Sequence, residues 1–372
     1  MTSLQPSAMH SVLSNMAIEI KTLNLDTEDD YRKFLLDAPA AMFNHSLKYR
    51  KLLRQVLIDA EDHYLLAYEA GELTAALPLF IKQGPLGPVV NSLPFYGSHG
   101  GLVSKPNSSE FIKQALLGAF TDFCANRKAI CSTLIESPIE LDKEIYINYP
   151  ADYFDERIGQ ITTLPENGEY PEVEDNLMSL YHQKTRNMVR KGLKSGFLVS
   201  HSGFENTLKA LHALHEENIR NIGGIAKPWA IFAAISDVFE YDEDYRIYTA
   251  TYDDEIVCAL LVFYFKGMVE YFTPATLEYF RSHQPLSLLI FTAMRDAVVE
   301  RRAKYWNWGG TWLSQDGVYQ FKSRWGTTDY PYRYHVRACQ GRSYFYGKSK
   351  ADLLNNYPYF YTVPFSALEY ER

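Results

Sequence analysis

The sequence has few of the features on which secreted and membrane-embedded proteins depend. It has four cysteines and no CxxC pair, which predicts reduced, mostly buried thiols and a cytoplasmic protein; they are Cys124, Cys131, Cys258 and Cys339. The first twenty residues contain no lysine or arginine and no continuous apolar run, so they resemble neither a signal peptide nor an Arg-rich transit peptide. The longest uncharged stretch, residues 83–104, is broken by five glycines and three prolines. We therefore predict loop and strand there, and no transmembrane segment.

Positive charge is also scarce. The chain has 37 Lys and Arg against 45 Asp and Glu, a net charge of -8, which excludes a basic surface that coats DNA. Hydrophobic residues make up 47% and charged residues 22%, the composition of a folded globular protein. A length of 372 residues suits two domains of roughly 150 to 200 residues each.

Several chemical motifs are missing. His212, His215 and Glu216 have helical spacing but no further ligand nearby, so no metal site is predicted. Residues 341–349 imitate a P-loop, but five residues instead of four separate the glycines. There is no G-x-S-x-G elbow and no HExxH.

Two segments half a chain apart share one plan. Tyr64–Ile81 and Ile247–Tyr264 each contain an apolar strand, a short turn with acidic residues near it and a second apolar strand, and Glu72 and Glu255 begin matching runs. The simplest interpretation is a duplicated domain, although any two β-hairpins look alike.

Each hairpin is followed by another strand, an amphipathic helix and a further strand. The helices are predicted near 110–126 and 285–303, and this alternation indicates an α/β (α+β) fold with a mixed sheet in each half. We predict a first domain over 17–164, an acidic linker over 165–176, a second domain over 177–345 and a C-terminal extension over 346–372.

A basic stripe opens the second half. Arg186, Arg190 and Lys194 are spaced four apart on a predicted helix that also carries Lys191, so three of these side chains follow one helical face. The stripe is either a solvated face that balances the acidic linker or a cradle for a phosphate or diphosphate.

An aromatic segment, residues 305–326, contains four of the five tryptophans, a Gly-Gly turn and the cations Lys322 and Arg324. Core packing would explain one or two of these rings, whereas aromatics between glycines and cations favour the rim of a pocket. A third candidate is His99 in LPFYGSHGG, where the glycines would let a ligand approach, although most loop histidines are ordinary.

The chain combines the two hairpins with the segment QKTRNMVRKGLKSG and with the run from YFTPATLEYF to GVYQFKSRWG. The order of these features resembles the FemAB group of acyltransferases, which are built from two GNAT-like domains. The resemblance implies transfer of an activated acyl group from aminoacyl-tRNA, or from acyl-CoA in some relatives, to an amine. The acceptor is often a nucleotide-linked cell-wall or glycan precursor. Lys322 matches the lysine of the family's F-K-x-x-[WF]-G motif, and Arg186 and Arg190 match its basic helix.

The chain departs from the GNAT signature Q/R-x-x-G-x-G/A. If Arg281 opens that motif, Gln284 and Leu286 replace its glycine and its small residue. The usual mode of CoA binding is therefore in question, and no tightly bound cofactor is expected.

Aminolysis needs positioning and a stabilised oxyanion more than a covalent intermediate. Lys322 is the predicted oxyanion or phosphate contact, and Glu270, in the strand GMVEYF, is the predicted base. The predicted substrate-binding residues are Arg186, Arg190, Lys191, Trp308, Thr311, Trp312, Tyr319, Arg324 and His99. Two alternatives stay open: an acyl-CoA-dependent N-acetyltransferase of a small amine, and a non-catalytic binder.

Overall fold

The structure is a computed structural model that describes residues 18–57, 59–94, 99–140, 143–224 and 226–369. Its strands are β1 (Ile18–Thr22), β2 (Ala60–Asp62), β3 (Leu65–Glu69), β4 (Glu72–Leu77), β5 (Phe80–Lys82), β6 (Val89–Asn91), β7 (Val103–Ser104), β8 (Cys131–Ile135), β9 (Tyr153–Thr163), β10 (Leu198–Ser202), β11 (Tyr245–Tyr252), β12 (Glu255–Phe265), β13 (Met268–Thr276), β14 (Tyr305–Trp312) and β15 (Thr327–Ala338). Its α-helices are α1 (Glu28–Asp37), α2 (Leu47–Val56), α3 (Glu110–Asn126), α4 (Tyr170–Leu180), α5 (Gln183–Lys194), α6 (Glu205–Asn221), α7 (Trp229–Val238), α8 (Pro285–Arg301), α9 (Asp316–Ser323) and α10 (Lys350–Asn356).

The chain forms two compact units that are discontinuous in sequence. Within the described residues, the first unit takes the segment that ends at Leu47, the segment from Asp59 to Glu156 and the segment that begins at Tyr332. The second unit takes the segment that begins at Lys48 in α2 and the segment from Arg157 to Pro331. The unit boundaries therefore fall inside α2, β9 and β15.

The second unit is built on a mixed sheet with the strand order β10-β11-β12-β13-β14-β9. The pairs β11–β12 and β12–β13 are antiparallel, and β13 pairs in parallel with β14. A parallel pair needs a crossover connection, and α8 supplies it between β13 and β14.

Helix α8 forms the centre of the second unit's core. Pro285 occupies its first turn, where a missing backbone N–H costs nothing. The helix packs against β11, β12 and β13 and against α4 and α5. Its buried side chains include Leu289, Ile290, Ala293, Met294, Ala297 and Val298. Two further helices of this unit, α6 and α7, pack against each other, and α6 also contacts β12 and β13.

The first unit contains a sheet with the order β1-β3-β4-β7 and a second run of strands in which β15, β8, β6, β5 and β2 are neighbours. Its core lies between these strands and α3, whose N-terminus is capped by the Ser109 hydroxyl accepting from the Ile112 N–H at 3.3 Å. The stretch 83–104 contains β6 and β7, as the sequence predicted.

The two predicted hairpins are confirmed, and their registers match. Glu69 pairs with Glu72 across a two-residue turn, as Tyr252 pairs with Glu255. In each hairpin this pair and the next one are regular, and a bulge follows. The bulge skips Thr74 in the first unit and Val257 in the second. Glu72 and Glu255 therefore occupy the same position in both units, as a duplication predicts.

The predicted domain boundaries differ from these units. Residues 48–57 and 157–164 of the predicted first domain belong to the second unit, and residues 332–345 of the predicted second domain belong to the first. Residues 165–176, expected to be a linker, contain the start of α4, whose Val173 and Leu177 lie in the second unit's core. These two residues are four apart on one helical face, and the surrounding acidic residues obscured them. The expected extension 346–372 belongs to the first unit in its described part, because the Tyr357 hydroxyl accepts from Leu86 N–H at 3.2 Å and donates to Gly87 O at 2.7 Å.

Among the described residues, no helix combines the length and the apolar character needed to cross a bilayer.

Candidate active site

The candidate site lies in the second unit, where β13 and β14 separate. The two strands pair only through Met268–Tyr305, Val269–Trp306 and Glu270–Asn307. Beyond the last pair β13 continues to Thr276 and β14 to Trp312 with no further pairing between these described segments. A V-shaped opening results, with Glu270 and Asn307 at its apex.

Both strands are irregular beside this opening. On β13, Tyr271 pairs with Val262 and Thr273 with Leu261, so Phe272 is an extra residue in a bulge. On β14 the pairing with β9 shifts between Asn307 and Gly310. Gly309 has a φ of 72°, and this left-handed backbone explains the first glycine of the Gly-Gly pair.

Glu270 is buried, and its carboxylate is hydrogen-bonded to Asn307, its partner on β14. Its carboxylate accepts a 2.7 Å hydrogen bond from the Asn307 side-chain amide, and the Asn307 amide oxygen accepts from Gly309 N–H at 3.0 Å. Asn307 thus connects the carboxylate at the apex to the irregular backbone of β14.

Lys322 lies on α9, and its side chain contacts β14. Its ammonium donates to the Thr311 hydroxyl at 2.9 Å and to Gly310 O at 3.3 Å, and the side chain is buried. Thr311 in turn donates to the side-chain oxygen of Gln160 at 3.2 Å. The predicted residues Lys322 and Thr311 therefore make direct contact.

Glu270 and Lys322 perturb each other's ionisation. Burial raises the pKa of Glu270 to about 8, opposed by the Asn307 hydrogen bond and the positive charge of Lys322. Burial lowers the pKa of Lys322 to about 8, opposed by the negative charge of Glu270. A carboxyl group and an amine that both titrate near neutral pH are suited to proton transfer.

The interpretation of the tryptophans as a pocket rim differs from the structure. Trp306, Trp308 and Trp325 are buried in the second unit's core, and the Trp308 indole N–H donates to the Thr162 hydroxyl at 3.0 Å. The rings pack on one another and on Tyr271, whose ring centroid lies 4.9 Å from that of Trp308. Large aromatic residues satisfy core packing as readily as a binding rim, and sequence alone does not separate the two.

Trp312 is the exposed member of this set, with 43% of its surface accessible. The buried guanidinium of Arg157 lies 3.1 Å from its ring centroid, a cation–π contact that fixes the ring. Nearby on α9, Tyr319 is half-buried, and its hydroxyl donates to the Asp329 carboxylate at 2.7 Å.

The basic stripe lies on α5. Arg190, Lys191 and Lys194 are exposed, whereas Arg186 is half-buried and donates to Tyr181 O at 2.7 Å and to the Gln183 side chain at 2.6 Å. Arg186 therefore stabilises the junction between α4 and α5, and Arg190 is the freer candidate for an anion.

The two remaining predicted residues lie elsewhere. Arg324 directly follows α9, half-buried, and its carbonyl accepts from His182 N–H at 2.9 Å. His99 belongs to the first unit, where it is buried with its ring 5.3 Å from that of Tyr332. Residues 95–98 of the LPFYGSHGG motif lie outside the described residues.

Sequence reasoning missed Asn307, Gln160 and Thr162. Asn307 is a single buried polar residue between two tryptophans of an otherwise aromatic strand, and that contrast was the available signal. Gln160 and Thr162 lie on β9, more than 140 residues before their partners, so their proximity required the tertiary structure.

A cavity of about 260 Å³ adjoins the C-terminal end of β13 and the start of α8. Thr276, Arg281, Gln284 and Ser287 supply polar groups to it, and Phe321, next to Lys322, contributes an aromatic wall. Gln284 has a φ of 63°, so the residue that replaces the signature glycine still adopts the left-handed backbone that favours glycine.

Comparisons with known proteins show what this fold is similar to. A family model described as an acetyltransferase (GNAT) domain matches residues 181–323. The solved structure of FemX is 16% identical and superposes with a TM-score of 0.66 over 84% of this chain and 96% of that one. A tandem GNAT protein from the clavulanic acid biosynthesis pathway is 13% identical, with a TM-score of 0.53 over 86% and 97% of the two chains.

A conserved protein of unknown function from Bacteroides thetaiotaomicron is 12% identical, with a TM-score of 0.56 over 86% of this chain and 99% of that one. No curated protein matches. At these identities the likeness shows the fold, and the predicted arrangement of tandem GNAT-like domains is confirmed. The family model likens residues 181–323 to a GNAT acetyltransferase domain, a kind of domain that uses an acyl donor as co-substrate and a small-molecule acceptor.

Proposed function

We propose that the protein is a FemAB-like N-acyltransferase that moves an activated acyl group from aminoacyl-tRNA or acyl-CoA to an amine. The acceptor we propose is a small nucleotide- or phosphate-linked precursor of the cell envelope or of a glycan. The single observation that supports this most strongly is the opening between β13 and β14, with Glu270 at its apex and the Lys322 ammonium bound to β14.

In the proposed reaction the acceptor amine attacks the acyl carbonyl carbon. The C–N bond forms and the C–O bond of a charged tRNA, or the C–S bond of an acyl-CoA, breaks. Glu270 accepts the proton that the amine loses and passes it to the leaving oxygen or sulfur. The Lys322 ammonium stabilises the oxyanion that develops in between, which a positioned cation in a buried site does more effectively than water.

The basic stripe of α5 supports an anionic acceptor. Arg190 and Lys194 of the stripe, with the neighbouring Lys191, present three exposed positive charges in a chain of net charge -8. Arginine binds phosphate oxygens with two parallel hydrogen bonds, so a diphosphate is the acceptor group that we propose for this face.

A second candidate is an acyl-CoA-dependent N-acetyltransferase of a small amine. The cavity between the end of β13 and the start of α8, with Gln284 in the left-handed conformation, favours it. Backbone N–H groups at a helix start suit the diphosphate of such a donor.

Mass spectrometry would test both. The purified protein is incubated with a charged tRNA mixture, or with a panel of acyl-CoAs, and with amine acceptors that include nucleotide-linked sugars. A product heavier by one acyl group, formed by the wild type and strongly reduced in Lys322→Met, is the expected result. A charged tRNA as donor would favour the first candidate. With an acyl-CoA as donor, the acceptor decides: acylation of a nucleotide-linked sugar favours the first candidate, and acylation of simple amines alone favours the second. Binding of acceptor without product from either donor would instead indicate a non-catalytic binder.

A further inference from the structure

Lys227 is a buried lysine that the proposed mechanism does not use. It lies between α6 and α7, directly before Pro228, and only 9% of its surface is accessible. Lysine is rarely buried to this extent without a specific role for its ammonium group.

The main chain of Lys227 is held by two histidines of α6. Its N–H donates to the His215 imidazole at 3.0 Å, and its carbonyl lies 3.2 Å from Nε2 of His212, which donates to it. The two histidines that looked like possible metal ligands in the sequence therefore fix the backbone of this lysine. The side chain of Lys227 extends from this fixed backbone to β13.

The ammonium of Lys227 meets β13 at its bulge. It donates to the Thr273 hydroxyl at 2.7 Å and to Phe272 O at 3.4 Å, and lies 4.5 Å from the Phe272 ring centroid. Phe272 is the extra residue of the bulge, so Lys227 donates to its carbonyl at a point where the ladder between β12 and β13 changes register.

The bulge begins two residues after Glu270, where β13 parts from β14. Without the ladder of β14 on that side, β13 past Glu270 is held by its pairing with β12, which resumes at Thr273, and by the contacts made at the bulge. Burial also lowers the pKa of Lys227 to about 7, so near neutral pH both the ammonium and the neutral amine are populated, and either form can donate these two hydrogen bonds.

We propose that Lys227 is a positioning residue that fixes the Phe272–Thr273 bulge and thereby the side of the opening that β13 forms beyond Glu270. The catalytic part of this inference rests on the proposed acyltransferase function. The structural part, the restraint of the bulge, does not.

Hydrogen–deuterium exchange tests the restraint without any substrate. In Lys227→Met we expect amides of the segment Tyr271–Thr276 to exchange about fivefold to tenfold faster, while β11 keeps its wild-type rates. The matched control is Lys209→Met, an exposed lysine of α6 paired with Glu205 at 2.7 Å, which should leave both segments unchanged. Unchanged exchange at Tyr271–Thr276 in Lys227→Met would overturn the proposal.

If Lys227→Met does not fold, Thr273→Val serves instead, because it removes one hydrogen-bond partner of the Lys227 side chain. It should also speed amide exchange at Tyr271–Thr276, by a smaller factor. Thr273→Ser keeps the hydroxyl and should restore wild-type exchange. Equal exchange in the valine and serine variants would then overturn the restraint.

Kinetics test the catalytic part. Once an acyl transfer is found, Lys227→Met should lower kcat about tenfold to a hundredfold and leave the acceptor KM within about twofold. The reason is that a displaced strand misplaces the acyl carbonyl. If Lys227→Met does not fold, Thr273→Val takes its place and should also lower kcat. Thr273→Ser should again recover the wild-type kcat. Faster exchange with wild-type kcat would overturn the positioning role. Faster exchange in a protein that transfers no acyl group would contradict the proposed function and leave the restraint standing.

Discussion

The two units have the same hairpin, and the strand that pairs with its second strand differs. In the first unit that strand is β7, which has only two residues and pairs with β4. In the second it is β13, which has nine residues, a bulge and Glu270. In both units a helix of 17 residues follows, α3 in one and α8 in the other.

The strand after that helix differs as well. All five residues of β8 are buried, and it pairs in parallel with β6. Its counterpart β14 places Asn307 opposite Glu270 and then leaves β13. The comparison teaches that the duplicated hairpin and helix do not by themselves form the candidate site. The strand that pairs with the hairpin must also be long enough to bulge, and the strand after the helix must separate from it, as β14 separates from β13. Buried ionisable groups then lie beside an opening.

The largest expected effect is on stability, at Trp308 in β14. Replacing this buried ring in Trp308→Ala should lower the free energy of unfolding by about 3 to 5 kcal/mol, measured by chemical denaturation, since a large core ring is lost. Trp312→Ala, at the exposed ring, is the control and should change it by less than about 1 kcal/mol. Similar losses in both variants would contradict the division between core and surface within β14.

The next effect is on the rate of transfer. Lys322→Met should lower kcat about a hundredfold or more, equivalent to about 2.7 to 4 kcal/mol, with little change in melting temperature. Lys113, a buried lysine of α3 in the first unit, provides the matched control. Lys113→Met should leave the rate per folded molecule unchanged, and an equal loss there would mean that the site is not confined to the second unit.

Binding of an anionic acceptor should depend on α5. Arg190→Glu should weaken the affinity for nucleotide-linked sugars about tenfold to a hundredfold in calorimetry, because a charged hydrogen bond worth about 1.5 to 3 kcal/mol is lost. Lys184→Glu changes the same charge on the same helix, away from the stripe, and should have little effect. Unchanged affinity in Arg190→Glu would favour the solvated-face interpretation.

The rate should depend on pH with a maximum near pH 8. Glu270 must lose its proton to act as a base, so the rate should rise as pH approaches its pKa of about 8. Lys322 must keep its proton, so the rate should fall above its pKa of about 8. Each limb should change about tenfold per pH unit. In Glu270→Gln the acidic limb should disappear from the residual activity; an unchanged limb would assign it to another group.

The smallest expected effect distinguishes the two hairpin turns. Ala70 has a φ of 51°, and Asp253, at the matching position, has 47°. Asparagine tolerates this left-handed backbone better than alanine, so Ala70→Asn should stabilise the protein by about 0.5 to 1 kcal/mol and Asp253→Ala should destabilise it by a similar amount. Denaturation midpoints that move in the same direction would mean that the two turns are not equivalent.

Much of the fold could be predicted because it follows from local patterns. The basic sequence after residue 182 forms α5, and the apolar runs around Glu72 and Glu255 form hairpins with equal registers. The acidic segment was harder to interpret, because Val173 and Leu177 contribute to a core that the local sequence does not reveal.

The sequence by itself determined the residue types at the candidate site: an isolated glutamate in an apolar strand, a lysine on a short helix and a glycine pair that permits irregular backbone. Only the tertiary structure decided which of the aromatic and cationic residues belong to the site. It buried Trp308 and Trp325, placed Lys322 against Thr311 and directed Lys227 to the bulge beside Glu270. The physical reason is that burial and long-range contact depend on residues distant in the chain, such as Gln160 on β9, whereas periodicity and turn chemistry depend on neighbours.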